Sequence, residues 1–213
     1  MNIIKPSVEI IDMDDYEKII KKIEKIGRVC YKSEGNITTD SAERFIKNII
    51  KRGHESVIEH EAITVRFVCD RGVTHEIVRH RIASYSQEST RYCNYTSDKF
   101  GNQITIIDLA SGFNYDLNNE TDKAKYYVWC RSMEESERAY FELLQLGATP
   151  QEARSVLPNS LKTEIVITMN IRAWRNFFRL RSDKNAHPQM KEVSDLALNV
   201  FKEKLPVFFS DFE

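Results

Sequence analysis

Glycine is scarce in this chain, with seven residues among 213. None falls in a G-x-G-x-x-G or G-K-[ST] loop, so neither glycine-rich device for cradling a dinucleotide or nucleotide phosphate is present. A bound phosphate would have to be held by arginines, hydroxyls and backbone amides. Charge of one sign is also lacking. The formal net charge of -1 provides no overall field to draw in a nucleic-acid backbone. No stretch approaches the ~18 uninterrupted apolar residues of a membrane helix. The opening segment MNIIKPSVEIIDMDD lacks the apolar run and small-residue cleavage site of a signal peptide, which predicts a cytoplasmic location. Cysteines 30, 69, 93 and 130 include no close pair. That excludes a CxxC zinc site and a disulfide framework, and predicts reduced, mostly buried thiols.

What is present is the balance of a globular protein, with 41% hydrophobic and 30% charged residues. There are no repeats, linkers or low-complexity segments. Val8 to Asp12 reads as a strand, and Tyr16, Ile19, Ile20, Ile23 and Ile26 recur at the spacing of an amphipathic helix. In TDSAERFIKNIIKRG, Asp40 and Glu43 predict a capping box and Gly53 a stop. Ala62 to Cys69 alternates and is rich in β-branched residues, as a strand should be. A short helix over VTHEIVRHR, a strand over QITIIDL and a long helix over 121–146 ending at Gly147 follow. Thr149, Pro150 and Glu152 then restart a helix with a second capping box.

The stretch SLKTEIVITMNIRAW places Leu161, Thr163, Ile165, Ile167, Met169 and Ile171 on one face. Lys162, Glu164, Val166, Thr168, Asn170 and Arg172 fall on the other, with Asn170 and Arg172 projecting from the same strand face. A helix through Arg181 and a last one from about His187 to Lys204 complete the chain. The result is a mixed α/β (α+β) single domain over residues 1–213, a central largely antiparallel sheet with packed helices. The long interval between the strands near 104 and 161 argues against βαβ winding.

Two segments concentrate chemistry. RHRIASYSQESTRY, residues 79 to 92, packs Arg79, Arg81 and Arg91 among hydroxyls, with Glu88 as the sole acid. NIRAWRNFFRLR sets Asn170, Arg172, Asn176 and Arg181 around an aromatic stripe of Trp174, Phe177 and Phe178 that reads as packing. Planar guanidiniums suit phosphates because they donate two parallel hydrogen bonds.

Rival readings are open at this point. The arginines and Tyr85, Tyr92 and Tyr95 could stack and clamp a single-stranded nucleic acid, although no second basic stripe supports it. HEIVRH resembles a zinc motif, but histidines five apart sit about 140° apart around a helix and cannot share a metal on one face. Glu76, Arg79 and His80 would share a helix face, as a solvated surface or a ligand wall. A serine nucleophile, Ser84 or Ser89, lacks a G-x-S-x-G elbow.

RHRIASYSQESTRY meets every fixed letter of R-H-R-x-x-S-x-x-x-x-S-x-R-Y and so resembles the signature of the flavin-dependent thymidylate synthases. The resemblance runs from RGHESVIEH through EARSVLPNSLKTEIVITMNIRAWRNFFRLR, roughly residues 52 to 192. It implies a homotetramer with FAD at subunit contacts. It also implies methylation of dUMP to dTMP with carbon from methylenetetrahydrofolate and electrons from NADPH. Matching positions assign Ser56, Arg79, His80, Arg81, Gln87, Asn170, Arg172 and Asn176 to FAD. Glu76, Arg79, Gln87, Glu88, Ser89, Thr90, Arg91, Arg154 and Arg181 would surround dUMP, with Arg181 catalytic and His54 against the folate. No metal, nucleic acid or membrane is implied, and no cysteine nucleophile. The chain departs from the usual pattern at Glu76, where the family often has Gln, and at Gln87, where it often has Glu.

Overall fold

The computed structural model describes residues 1–97 and 101–212. A short strand β1 (Asn2–Ile4) precedes β2 (Ser7–Asp12), α1 (Tyr16–Tyr31) and α2 (Ser41–Lys51). A 3-10 turn over Glu55–His60 leads into β3 (Ala62–Asp70), which passes directly into α3 (Arg71–Ile77). The basic motif carries β4 (Ser84–Gln87). Then come β5 (Thr105–Ile107), α4 (Leu109–Phe113), the long α5 (Glu120–Gln145) and α6 (Pro150–Ala153). β6 (Lys162–Asn170) runs into α7 (Ile171–Arg181), followed by α8 (Pro188–Lys204) and α9 (Pro206–Phe209).

The central sheet has the order β2-β3-β6-β4 and is antiparallel throughout. β3 and β6 pair over their full length, from Ala62 opposite Asn170 to Asp70 opposite Lys162. The alternation in β6 is as expected: Thr163, Ile165, Ile167 and Met169 are buried against the helices. They meet Ile63, Val65, Phe67 and Cys69 of β3 in one core that also takes in Trp174, Phe177 and Phe178 of α7 and Phe201 of α8. Burying each such side chain stabilises the fold by roughly 1.5–3 kcal/mol. Trp174 also satisfies its indole N–H, donating to the Ile63 carbonyl at 3.1 Å. β1 and β5 form a separate parallel pair over a smaller cluster that includes Met133 and Tyr140 of α5. The absence of βαβ winding between β5 and β6 follows, because they lie in different sheets and are bridged at Ile106 and Leu161, just before β6.

Both central strands turn into helices through an acid or amide cap. The Asp70 carboxylate accepts from Val73 N at 2.7 Å, and the Asn170 side chain accepts from Ala173 N at 2.8 Å. Since β3 and β6 are antiparallel, α3 and α7 start at opposite ends of the sheet. α7 spans about 16 Å and runs back until Arg181 meets the end of α3.

Three local expectations differ from the structure. The Asp40–Glu43 capping box does not form: Asp40 accepts from the Thr38 hydroxyl, and Glu43 is taken by Tyr16 OH at 2.7 Å. The second box, Thr149 with Glu152, is complete. Arg172 is not on the strand, because the Asn170 cap ends β6 and places Arg172 in the first turn of α7. Of the cysteines, Cys69 is buried, Cys93 and Cys130 are half-buried and Cys30 is exposed. Gly53, at φ +72°, closes α2 with His54 N bonded back to the Ile49 carbonyl, and so sets where the next turn begins.

Candidate active site

The site residues gather in three places. At the first, Arg81, Asn170, Arg172 and Asn176 line one cavity of about 400 Å³, together with Glu55, Glu59, Ile82, Ala173 and Arg179. The sequence brings them together because α7 has one solvent-facing stripe, Arg172, Asn176 and Arg179, between the buried Trp174, Arg175, Phe177 and Phe178. Arg172 Nη1 donates to Glu59 Oε1 at 2.5 Å, and its Nε lies 4.0 Å from Glu55 Oε2. Ser56 is exposed on the same 3-10 turn as both acids. Three guanidiniums and two carboxamides form a donor set that fits the diphosphate and amide-rich ring of a flavin dinucleotide.

The second group centres on Arg181. Its Nη1 donates to Glu76 Oε2 at 2.6 Å, its Nη2 to the Glu76 carbonyl at 3.1 Å, and its Nε to His80 Nε2 at 2.9 Å. His80 is buried, packed 4.8 Å from the Phe177 ring. Burial and then the neighbouring Arg181 push its imidazole down to about 4, so it is neutral at physiological pH. Its position is fixed from the sheet, where Tyr85 OH donates to the His80 carbonyl at 2.7 Å and to that of Ile77 at 3.1 Å. The shared face expected for Glu76, Arg79 and His80 is only partly realised. α3 ends at Ile77, so Glu76 and His80 meet through Arg181, while exposed Arg79 turns back to the His75 carbonyl at 3.1 Å. His75 is exposed.

The third group is the end of β4 and the turn after it. Gln87 faces the core side and donates to Thr74 Oγ1 at 3.1 Å and Thr163 Oγ1 at 3.4 Å. Glu88 accepts from Lys162 Nζ at 3.1 Å, and Lys162 also donates to Glu164 Oε1 at 2.6 Å. The bond from Lys162 holds the Glu164 carboxyl below its ordinary range. Ser89 caps the turn, accepting from Arg91 N at 3.3 Å, and Arg154 Nη1 donates to the buried Thr90 hydroxyl at 3.4 Å. Arg91 is exposed, its guanidinium 5.5 Å over the Tyr92 ring. A cavity of about 420 Å³ opens here between Ser86, Gln87, Glu88, Cys93, Lys162 and Glu164. His54 caps the 3-10 turn that carries Glu55 and Glu59 but is not among the residues lining the first cavity; it is exposed, with Nδ1 2.5 Å from Tyr31 OH.

Sequence reasoning missed Glu55, Glu59 and Arg179 on the first cavity and Lys162 beside Glu88. Arg179 had a usable signal, since it follows Arg172 by seven residues and Asn176 by three on the same helix face. The two acids flank Ser56, which the resemblance assigns to FAD, but no periodicity ties their turn to α7 more than a hundred residues downstream.

Comparison with known proteins identifies the family. The family model described as thymidylate synthase complementing protein matches residues 10–207, extending well upstream of the motifs. The chain belongs to this family, that of the flavin-dependent thymidylate synthases. The flavin-dependent thymidylate synthase of Corynebacterium diphtheriae is 32% identical over 209 residues, covering 90% of this chain and 78% of that protein. The enzyme of the same name from Pyrococcus furiosus is 33% identical over 159 residues, covering 74% of this chain and 62% of that one. Among solved structures, the UMP/dUMP methylase PolB from Streptomyces cacaoi, bound with 5-Br dUMP, superposes with a TM-score of 0.79. At 22% identity it covers 100% of this chain and 96% of its own, and establishes the shared fold.

Proposed function

We propose that this chain, acting as a single catalytic domain, methylates dUMP to dTMP. It takes carbon from methylenetetrahydrofolate and electrons from NADPH through FAD. The observation that carries this reading is the cavity shared by Arg81, Asn170, Arg172 and Asn176, four of the residues assigned to FAD. Ser56, Arg79, His80 and Gln87 complete that assignment. Glu76, Arg79, Gln87, Glu88, Ser89, Thr90, Arg91, Arg154 and Arg181 surround dUMP, and His54 meets the folate. FAD, when bound, supplies the hydride and handles the methylene transfer.

The chain's own residues bind, orient and polarise. Carbon 5 of uracil is a poor nucleophile until the ring is polarised. Arg181, permanently cationic, stabilises negative charge developing at ring nitrogen 3 and the adjacent carbonyl. Glu76 and His80 hold its guanidinium plane in place beforehand, which removes reorganisation from the reaction step. Arg91, which follows the Ser89–Thr90 turn, and Arg154, which donates to the Thr90 hydroxyl, suit the substrate phosphate. The enzyme works as a homotetramer in the cytoplasm, on small molecules and not on nucleic acid. Among the described residues no helix is long and apolar enough to cross a membrane.

The test is direct. Purified protein should carry or take up FAD, oxidise NADPH faster when dUMP is added, and release dTMP. UMP run in parallel defines the sugar preference. Apoprotein that takes up no FAD on titration would overturn the reading.

A further inference from the structure

The stripe on α7 does not stop at the residues so far assigned. Arg172, Asn176 and Arg179 stand at i, i+4 and i+7, within an arc of about 60° around the helix. All three line the same cavity. Arg179 Nη2 donates to Glu55 Oε1 at 2.7 Å, and its side chain is still 48% exposed. That is its one hydrogen bond among the described residues, and a guanidinium carries five donors. One edge is therefore engaged while the rest of the fork faces the cavity.

Glu55 is held from beneath. Its Oε1 also accepts from Arg175 Nε at 3.2 Å. Arg175 is 2% exposed, makes a two-point contact with Asp211 at 2.7 and 2.6 Å, and donates to the Phe208 carbonyl. The acid that holds Arg179 is thus anchored to the core and not to another mobile surface chain. Its negative charge is shared with Arg175, which leaves the cavity-wall guanidiniums incompletely neutralised and open to an anion.

We propose that Arg179 is a further anion-binding residue of this cavity, contacting the diphosphate of the dinucleotide, and that Glu55 is the residue that positions it. This rests on the reading that FAD occupies the cavity. The bland alternative is an ordinary ion pair between Arg179 and Glu55, which would show in stability and not in cofactor affinity.

FAD titration of the apoprotein, followed by quenching of flavin fluorescence, separates the two. Arg179→Ala should weaken FAD binding roughly tenfold at low salt, the effect of one charge-assisted phosphate contact. The unfolding temperature of the apoprotein should move by less than about 2 °C, since the side chain is half exposed. Arg179→Lys should recover part of the affinity and keep the parent's salt dependence, whereas Arg179→Ala should show a shallower one. Glu55→Gln should weaken binding about threefold in the parent and have almost no effect in the Arg179→Ala background, because it acts through Arg179. Equal effects of Glu55→Gln in both backgrounds would overturn its positioning role. If Arg172→Ala loses FAD while Arg179→Ala binds within twofold of the parent, Arg179 is an ion-pair partner only. If Arg172→Ala also binds like the parent, the cavity is not the cofactor site and the inference falls with that reading.

Discussion

Arg181 Nε donates to His80 Nε2 at 2.9 Å, and this contact fixes the tautomer of a buried histidine. The nitrogen facing a guanidinium N–H has to offer a lone pair, so His80 carries its proton on Nδ1. Burial disfavours the imidazolium further, and the two effects lower the group from 6.5 to about 4. Because the folded value is depressed, neutral His80 favours the folded state above 6.5, and that advantage is lost as pH falls from 6.5 toward 4. Urea unfolding of the parent and of His80→Gln should therefore converge or cross as pH is lowered from about 7 to about 4.5, the parent losing up to roughly 3 kcal/mol relative to the variant. A constant difference across that range would show that His80 titrates alike in folded and unfolded chains.

The same contact separates binding from chemistry. Arg181→Ala should abolish dTMP formation, by a factor of order 10²–10³ or more, while FAD absorbance is largely retained. The guanidinium is assigned to the pyrimidine, and the cavity proposed for FAD lies along the earlier turns of α7. Lysine should rescue poorly, since a point charge cannot hold Glu76, His80 and a substrate carbonyl in one plane. The variant should also raise the His80 titration, because a neighbouring cation is gone. Normal turnover by Arg181→Ala would remove the assigned role.

The sequence-to-structure agreement depends on whether a signal was local. β6 was legible because its two faces differ residue by residue, and the Thr149–Glu152 box because both partners lie within one helical turn. The Asp40–Glu43 box has the same pattern and fails because Glu43 has a stronger partner 27 residues away in Tyr16. Arg172 was misplaced because the alternation of β6 continues through Ile171, and nothing in periodicity announces the Asn170 cap. The arginine and asparagine half of the cavity was visible as a cluster. Its acidic half was not, since Glu55 and Glu59 meet Arg179 and Arg172 across 124 and 113 residues of chain.

Arg175 tests how far the cavity depends on the core beneath it. Its guanidinium joins Asp211, the Phe208 carbonyl and Glu55, so Arg175→Ala strips partners from the half-buried Glu55 and a buried carbonyl at once. A loss of about 3–5 kcal/mol is expected in denaturant unfolding. Asp211 is 53% exposed on its side chain, and Asp211→Asn should lose no more than about 1 kcal/mol. Similar losses for the two variants would mean that the Arg175–Asp211 pair, not Glu55 and the carbonyl, accounts for the stability.

The thiols decide between two ways of activating the uracil ring. Attack at carbon 6 by a cysteine requires a thiolate within reach of the substrate. Cys69 is fully buried, and burial pushes its thiol well up, as it does more mildly for Cys130 on α5. Cys30 is exposed at the end of α1, on an element that lines none of the site cavities. Cys93 is different, because it lines the cavity with Gln87, Glu88 and Lys162, beside residues assigned to dUMP. Its backbone N–H donates to the Ser89 carbonyl at 2.9 Å, which ties it into the turn whatever its side chain. On the proposed reading, in which FAD supplies the hydride and no ring–thiol adduct is needed, Cys93→Ser should keep dTMP synthesis within about threefold of the parent, a change worth under about 1 kcal/mol in the barrier. FAD content and oligomeric state have to match the parent before the assay, so that lost folding is not read as lost chemistry. A correctly assembled, flavin-loaded Cys93→Ser protein that transfers no methyl group would make Cys93 the nucleophile and overturn the flavin-only route.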